Sequence, residues 1–101
     1  MKNMTLNNFK EVLEQPFPFV LCFRSAWCSA CAAQFQILQE LEEKYDSFDL
    51  YVVDADHEPE LNTLFGIRQL PAIVVMDHGR VLEHHSGFMS CEKLETLFNK
   101  L

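Results

Sequence analysis

Cys28 and Cys31, in the run Trp27-Cys28-Ser29-Ala30-Cys31, are the residues of this chain best placed to do chemistry. Thiols at this spacing lie one helical turn apart on the same face and can close a small disulfide. The run follows Phe19-Val20-Leu21-Cys22-Phe23, an apolar stretch that reads as a buried strand. A strand feeding into a helix leaves the first N–H groups of that helix without partners. Those donors and the positive end of the helix dipole favour an anion. A cysteine there is biased toward the thiolate, the nucleophile of disulfide exchange. With strand and helix patterns around it and no export signal, the C-x-x-C predicts a redox pair.

The rival chemistry for the same residues is metal binding. A structural zinc site takes four ligands, and C-x-x-C supplies two. Cys22, Cys91, His57, His78, His84 and His85 are the other candidates. Cys22 lies mid-strand, however, and no second C-x-x-C or spaced histidine pair exists. Adjacent His84 and His85 point to opposite faces of a strand. The expectation is therefore no metal and no cofactor. Asp54, Asp56, Glu58 and Glu60 read as a solvated acidic face, since they lack metal-loop spacing. Cys22 and Cys91 are both expected as small buried core residues.

Around the pair, the pattern alternates helix and strand. Thr5 is placed as the N-cap of a first helix carrying Leu6, Phe9, Val12 and Leu13. Pro16 and Pro18 end it ahead of a strand at about 19–24. The second helix begins near Cys28, with Cys31, Phe35, Leu38, Leu41 and Tyr45 along one face. A second buried strand covers 48–54, and Pro59 opens a short helix that closes at Gly66. Strands at 72–76 and 81–86 flank a turn at Asp77-His78-Gly79-Arg80. Ser90 caps a last helix whose Cys91, Leu94, Leu97, Phe98 and Leu101 form its core stripe. The class is α/β: a central mixed sheet of four to five strands flanked by helices. The strands at 19–24 and 48–54 are expected to be parallel, joined by a helical crossover.

Composition sets the outer bounds. The 101 residues suit a single domain, 1–101, and a hydrophobic fraction of 49% with nine phenylalanines argues for a packed core. The net charge is −7 and no basic run exists, which excludes phosphate backbones and anionic lipid surfaces as partners. No segment has the apolar core of a signal peptide or the length of a membrane span. The chain reads as cytoplasmic.

Three landmarks in this order resemble the thioredoxin family, over nearly the whole chain. They are Trp27-Cys28-x-x-Cys31 after the buried strand, the segment Phe65-Gly66-Ile67-Arg68-Gln69-Leu70-Pro71, and Gly79 followed by Gly87 before the last helix. The resemblance implies a thioredoxin fold with Pro71 in cis, packed against the cysteine pair. It implies a thiol–disulfide oxidoreductase that reduces protein disulfides, with Cys28 as nucleophile and Cys31 as resolving thiol. Trp27, Leu70, Pro71, Gly87 and Phe88 would form the apolar rim that receives an extended substrate. The partners would be protein disulfides and a thioredoxin reductase or another thiol reductant, and the protein would act as a monomer.

The chain also departs from that family. Ser29-Ala30 stands where typical members have Gly-Pro, and the second helix lacks the usual proline. Cys22 replaces a buried aspartate, and Val52 replaces the lysine that often neighbours it. Losing both charges together is physically coherent, because losing one would strand the other. These departures leave open a non-catalytic module of the same fold that binds a partner without turnover, and more remotely a metal-binding C-x-x-C protein.

Overall fold

A computed structural model describes residues 1–101. The elements in chain order are β1 (Lys2–Asn3), α1 (Phe9–Leu13), β2 (Phe19–Arg24), α2 (Ser29–Glu42), β3 (Asp49–Asp54), α3 (Pro59–Leu64), β4 (Ala72–Asp77), β5 (Arg80–Ser86) and α4 (Cys91–Phe98). The sheet has five strands in the order β1-β3-β2-β4-β5. β2 runs parallel to β3 and antiparallel to β4, and β4 and β5 form an antiparallel hairpin. The short N-terminal β1 adds a parallel edge beside β3.

The central strands are apolar through their interiors, with charged residues only at their ends, because both faces of the sheet are covered. Successive side chains of β2 go to opposite faces. Val20 and Cys22 join Leu50, Ile73 and Val75 under α2 and α4, where Leu38, Leu41, Leu94, Leu97 and Phe98 complete the layer. Phe19, Leu21 and Phe23 join Tyr51, Val53, Val74 and Met76 on the other face, covered by Met4, Val12 and Leu61. The opening helix–strand boundary of the site thus rests on a strand locked into two cores.

Local signals place most boundaries. His78 (φ 51) and Gly79 (φ 76) occupy the two central turn positions between β4 and β5. Positive φ at both is what a tight two-residue hairpin demands. α3 closes with Ile67 N–H donating to the Asn62 carbonyl and Gly66 N–H to that of Thr63. That is a Schellman closure, with Gly66 at φ 63 in the left-handed position.

Two expectations are corrected. Thr5 does not cap a helix holding Leu6: Thr5, Leu6, Asn7 and Asn8 form a turn, and α1 begins at Phe9 after Asn8. Asn8 Oδ1 accepts from Thr5 N–H at 2.8 Å and Thr5 Oγ1 from Asn7 N–H at 3.2 Å, so the local side chains hold a turn where the spacing suggested helix. Leu6 is left exposed. Cys91 is likewise exposed, not buried. It is the first residue of α4, and the helix reaches the sheet only from Leu94 onward.

Candidate active site

β2 ends at Arg24, and four residues later Cys28 opens α2 in the N-cap position with an extended backbone (φ −109, ψ 109). The Cys28 sulfur accepts the N–H of Cys31 at 3.2 Å. A sulfur therefore fills the place usually held by a serine or aspartate oxygen at a helix start. The thiol of Cys28 is half-buried, whereas Cys31 is fully buried (0%) on the inner face of α2. The two thiols are not joined to each other in the structure.

The burial of Cys31 has a direct electrostatic consequence. Burial first, then the hydrogen bond its thiol makes to Cys28, pushes Cys31 up to about 11. Acting the other way are a hydrogen bond from the Ser25 backbone and the positive charge of Arg24. Cys22, two residues before Arg24 on β2, is pushed up to about 12, mainly by burial and further by Cys31. Cys22 is thus a neutral group beneath the dithiol, and Val52 is its registered neighbour on β3.

The loop between β2 and Cys28 is anchored from below. Ser25 is buried, and its hydroxyl reaches both carboxylate oxygens of Asp56 at 2.9 Å. Ala26 N–H also donates to Asp56, and Trp27 N–H donates to the Ser25 hydroxyl. Asp56 belongs to the acidic run that the sequence presents as a solvated face. Its position opposite the loop gives it a structural task that charge patterning alone did not reveal.

The Leu70–Pro71 peptide bond is cis, as the resemblance implied. The Cys28 thiol points at the Leu70 carbonyl across 3.8 Å. Pro71 O in turn accepts Gly87 N–H at 2.8 Å. This bond links the segment at 70–71 to the loop carrying Gly87 and Phe88. Gly87 has φ 91, a left-handed backbone that favours glycine, and it lies beside the Gln69 side chain. Trp27 is 91% exposed and Phe88 46% exposed. Of the named rim residues, Leu70, Pro71 and Gly87 are thereby tied to one another or to Cys28, and Trp27 and Phe88 present aromatic surface to solvent.

One site-supporting residue escaped sequence reasoning. Gln34, one turn beyond Cys31 and fully buried, donates to the Met89 carbonyl at 3.2 Å and accepts Met89 N–H at 2.7 Å. It pins the helix bearing the dithiol to the loop that follows Gly87 and Phe88. Its only sequence signal is its spacing, three residues from Cys31 and four from Leu38 on the buried face. No group of three or more His, Cys, Asp or Glu side chains gathers in a way that could hold a metal. No helix is long and apolar enough to cross a membrane.

A mixed sheet of this order, with a dithiol where its central strand runs into a covering helix and a cis-proline facing it, defines the thioredoxin fold class. The thioredoxin family model matches residues 1–100, and the chain belongs to the thioredoxin family. It is 30% identical over 95 residues to a thioredoxin of Alicyclobacillus acidocaldarius, covering 91% of this chain and 90% of that one. It is 28% identical over 102 residues to a thioredoxin of Rickettsia prowazekii, covering 99% and 97%. Among solved structures, the thioredoxin Mala s 13 of Malassezia sympodialis superposes with a TM-score of 0.91 at 21% identity. That match covers 99% of this chain and 89% of the other.

Proposed function

We infer that the protein is a thiol–disulfide oxidoreductase that reduces protein disulfides through Cys28 and Cys31. The observation that carries this reading is the unequal placement of two thiols one turn apart. Cys28 is reachable at the helix N-cap, and Cys31 is buried with its N–H on the Cys28 sulfur. The Cys28 thiolate attacks one sulfur of a substrate disulfide, forming a mixed disulfide and releasing the other substrate sulfur as a thiolate. Cys31 loses its proton to water and attacks Cys28. The Cys28–Cys31 disulfide forms, the mixed disulfide breaks, and the second substrate sulfur leaves as a thiolate that takes a proton. The substrate gains two electrons, and an external thiol reductant or a thioredoxin reductase returns them to the protein.

Trp27, Leu70, Pro71, Gly87 and Phe88 are the rim in this reading, receiving an extended substrate segment beside Cys28. A monomer in a cytoplasmic setting belongs to the same reading, since reducing compartments keep free thiols such as these four reduced.

Turnover of a disulfide protein with dithiothreitol as electron source tests it. Wild type is expected to accelerate reduction, and Cys28→Ser to fall to the uncatalysed rate. Cys31→Ser should accumulate a covalent mixed disulfide visible by mass spectrometry, because the resolving sulfur is gone. Equal rates with wild type and Cys28→Ser would overturn the reading in favour of a non-catalytic binding module.

A further inference from the structure

The buried resolving thiol raises a problem that the neutral residues beneath it do not solve. Cys31 must shed a proton from an apolar position, and Cys22 is itself held neutral by burial. Val52, its registered partner on β3, carries no charge either.

The charged group that does face this region is Arg24. On β2, Cys22 and Arg24 are two residues apart and so point to the same face of the sheet. On α2, Cys31 and Phe35 are four residues apart and so lie one turn from each other on the same face. The two pairs meet, because the Arg24 guanidinium lies 4.3 Å from the centre of the Phe35 ring. A cation over an aromatic face is held there by the ring quadrupole. Arg24 and Phe35 both line a cavity of about 230 Å³ with Asn3, Ala26, Val52 and Asp54. Asp54 is registered with Arg24 across the β2–β3 pair, but its carboxylate is engaged by His57 Nδ1 at 2.7 Å. The guanidinium has no carboxylate partner within ion-pair distance, and the ion pair of Asp54 is with His57.

We propose that Arg24 is a positioning residue for the resolving half of the reaction, its fixed charge favouring the Cys31 thiolate as that thiolate attacks Cys28. This rests on the dithiol reading given above. Once the mixed disulfide has formed, Cys28 carries neither charge nor thiol proton, and its raising influence on Cys31 lapses. Burial still opposes ionisation most strongly, and the Ser25 backbone and, to a smaller extent, Arg24 favour it. The groups facing Cys31 are thus Cys28 at the head of its own helix, Cys22 and Arg24 from β2, and Ser25 from the loop that follows. A lower thiolate threshold raises the reactive fraction tenfold per unit, while nucleophilicity falls by about threefold, leaving about threefold net gain.

Two measurements decide the matter, one of which needs no turnover. In a Cys28→Ser background, the pH dependence of Cys31 alkylation by iodoacetamide is followed by mass mapping, with Arg24 intact, Arg24→Lys and Arg24→Gln. The expected result is an alkaline displacement of the profile with Arg24→Gln and its recovery with Arg24→Lys. With both cysteines present, reduction of 5,5′-dithiobis(2-nitrobenzoate) releases a first thiolate when Cys28 attacks and a second when Cys31 resolves. Arg24→Gln should slow the second phase about threefold or more near neutral pH and leave the first within about twofold. An unmoved alkylation profile in Arg24→Gln overturns the proposal, as does equal slowing of both phases at every pH. Absence of the second phase in the wild type would instead overturn the dithiol reading, while the alkylation profile still decides the role of Arg24.

Discussion

Trp27 keeps 91% of its surface in solvent, and no core role accounts for an indole so placed. Truncating it removes no packing, so Trp27→Ala should hold stability within about 0.5 kcal/mol, the range of ordinary surface changes. The same change should raise KM for a protein disulfide several-fold and leave reduction of a small aromatic disulfide nearly as fast. Chemical denaturation together with steady-state kinetics on both substrates checks the pair of outcomes. Reactivity among the thiols should follow their placement: brief alkylation labels Cys28 well before Cys31, and Cys22 last. Cys91, exposed at the head of α4, is labelled independently of the pair. The pair itself is legible in the sequence because a C-x-x-C at a strand-to-helix junction, with no second C-x-x-C or spaced histidine pair to complete a metal site, points to redox chemistry. Cys91 was not, because its spacing from Leu94 continues an apolar stripe, and nothing local shows that the stripe begins before the sheet does.

α2 is held at two points that determine where its cysteines lie. Its start rests on the loop anchored by Ser25 and Asp56, and its second turn is clamped by Gln34 to Met89. Removing the clamp leaves a buried N–H and a buried carbonyl of Met89 without partners. Each such group costs about 1–3 kcal/mol, so Gln34→Ala should destabilise by roughly 2–6 kcal/mol. It should also loosen the loop carrying Gly87 and Phe88, which amide exchange at Phe88 and Met89 would register. Gln34 escaped sequence reading because a glutamine inside a helical pattern reads as surface; only the opposing backbone makes its burial tolerable. The strands were more legible. Runs such as Phe19–Phe23 and Ala72–Met76 are apolar at every position, as strands covered on both faces must be. The first helix starts three residues later than its periodicity suggests, because Thr5 and Asn8 use their side chains to close a turn that periodicity cannot see.

At the scale of the whole molecule, the buried thiols make stability depend on alkaline pH. Burial raises Cys22 from an ordinary 9.0 to about 12. A thiol kept protonated in the fold and released in the unfolded chain contributes stability that is complete below about pH 9. That contribution is lost as pH rises toward 12, where the unfolded state holds fewer protons. Cys22→Ala removes the Cys22 share of the effect and leaves that of Cys31. The stability advantage of wild type over this variant should therefore shrink by on the order of 2–3 kcal/mol between about pH 8 and about pH 11. Denaturant titrations at the two pH values measure it, and a constant advantage would show that Cys22 ionises as freely folded as unfolded. The overall topology was readable from the alternation of helix and strand. The fifth strand was the least visible part, since β1 is only two residues long and owes its place to pairing with Tyr51 and Val52.

The sulfur of Cys28 is also the cap of the helix it opens. Whatever alters the electron density on that atom alters the first turn of α2, so the state of the thiol is written into the backbone. A carbamidomethyl group on that sulfur takes the place of its proton, ends its contact with the Leu70 carbonyl and adds bulk at the N-cap, where the Cys31 N–H must be accepted. Carbamidomethylation of Cys28 should therefore release the Cys31 amide to faster hydrogen exchange, while amides further along the helix, such as that of Leu38, keep their protection. Bond-making at one atom and fraying at one helix end are then a single event. A binding partner could distinguish modified from unmodified protein by the order of that turn without touching either cysteine.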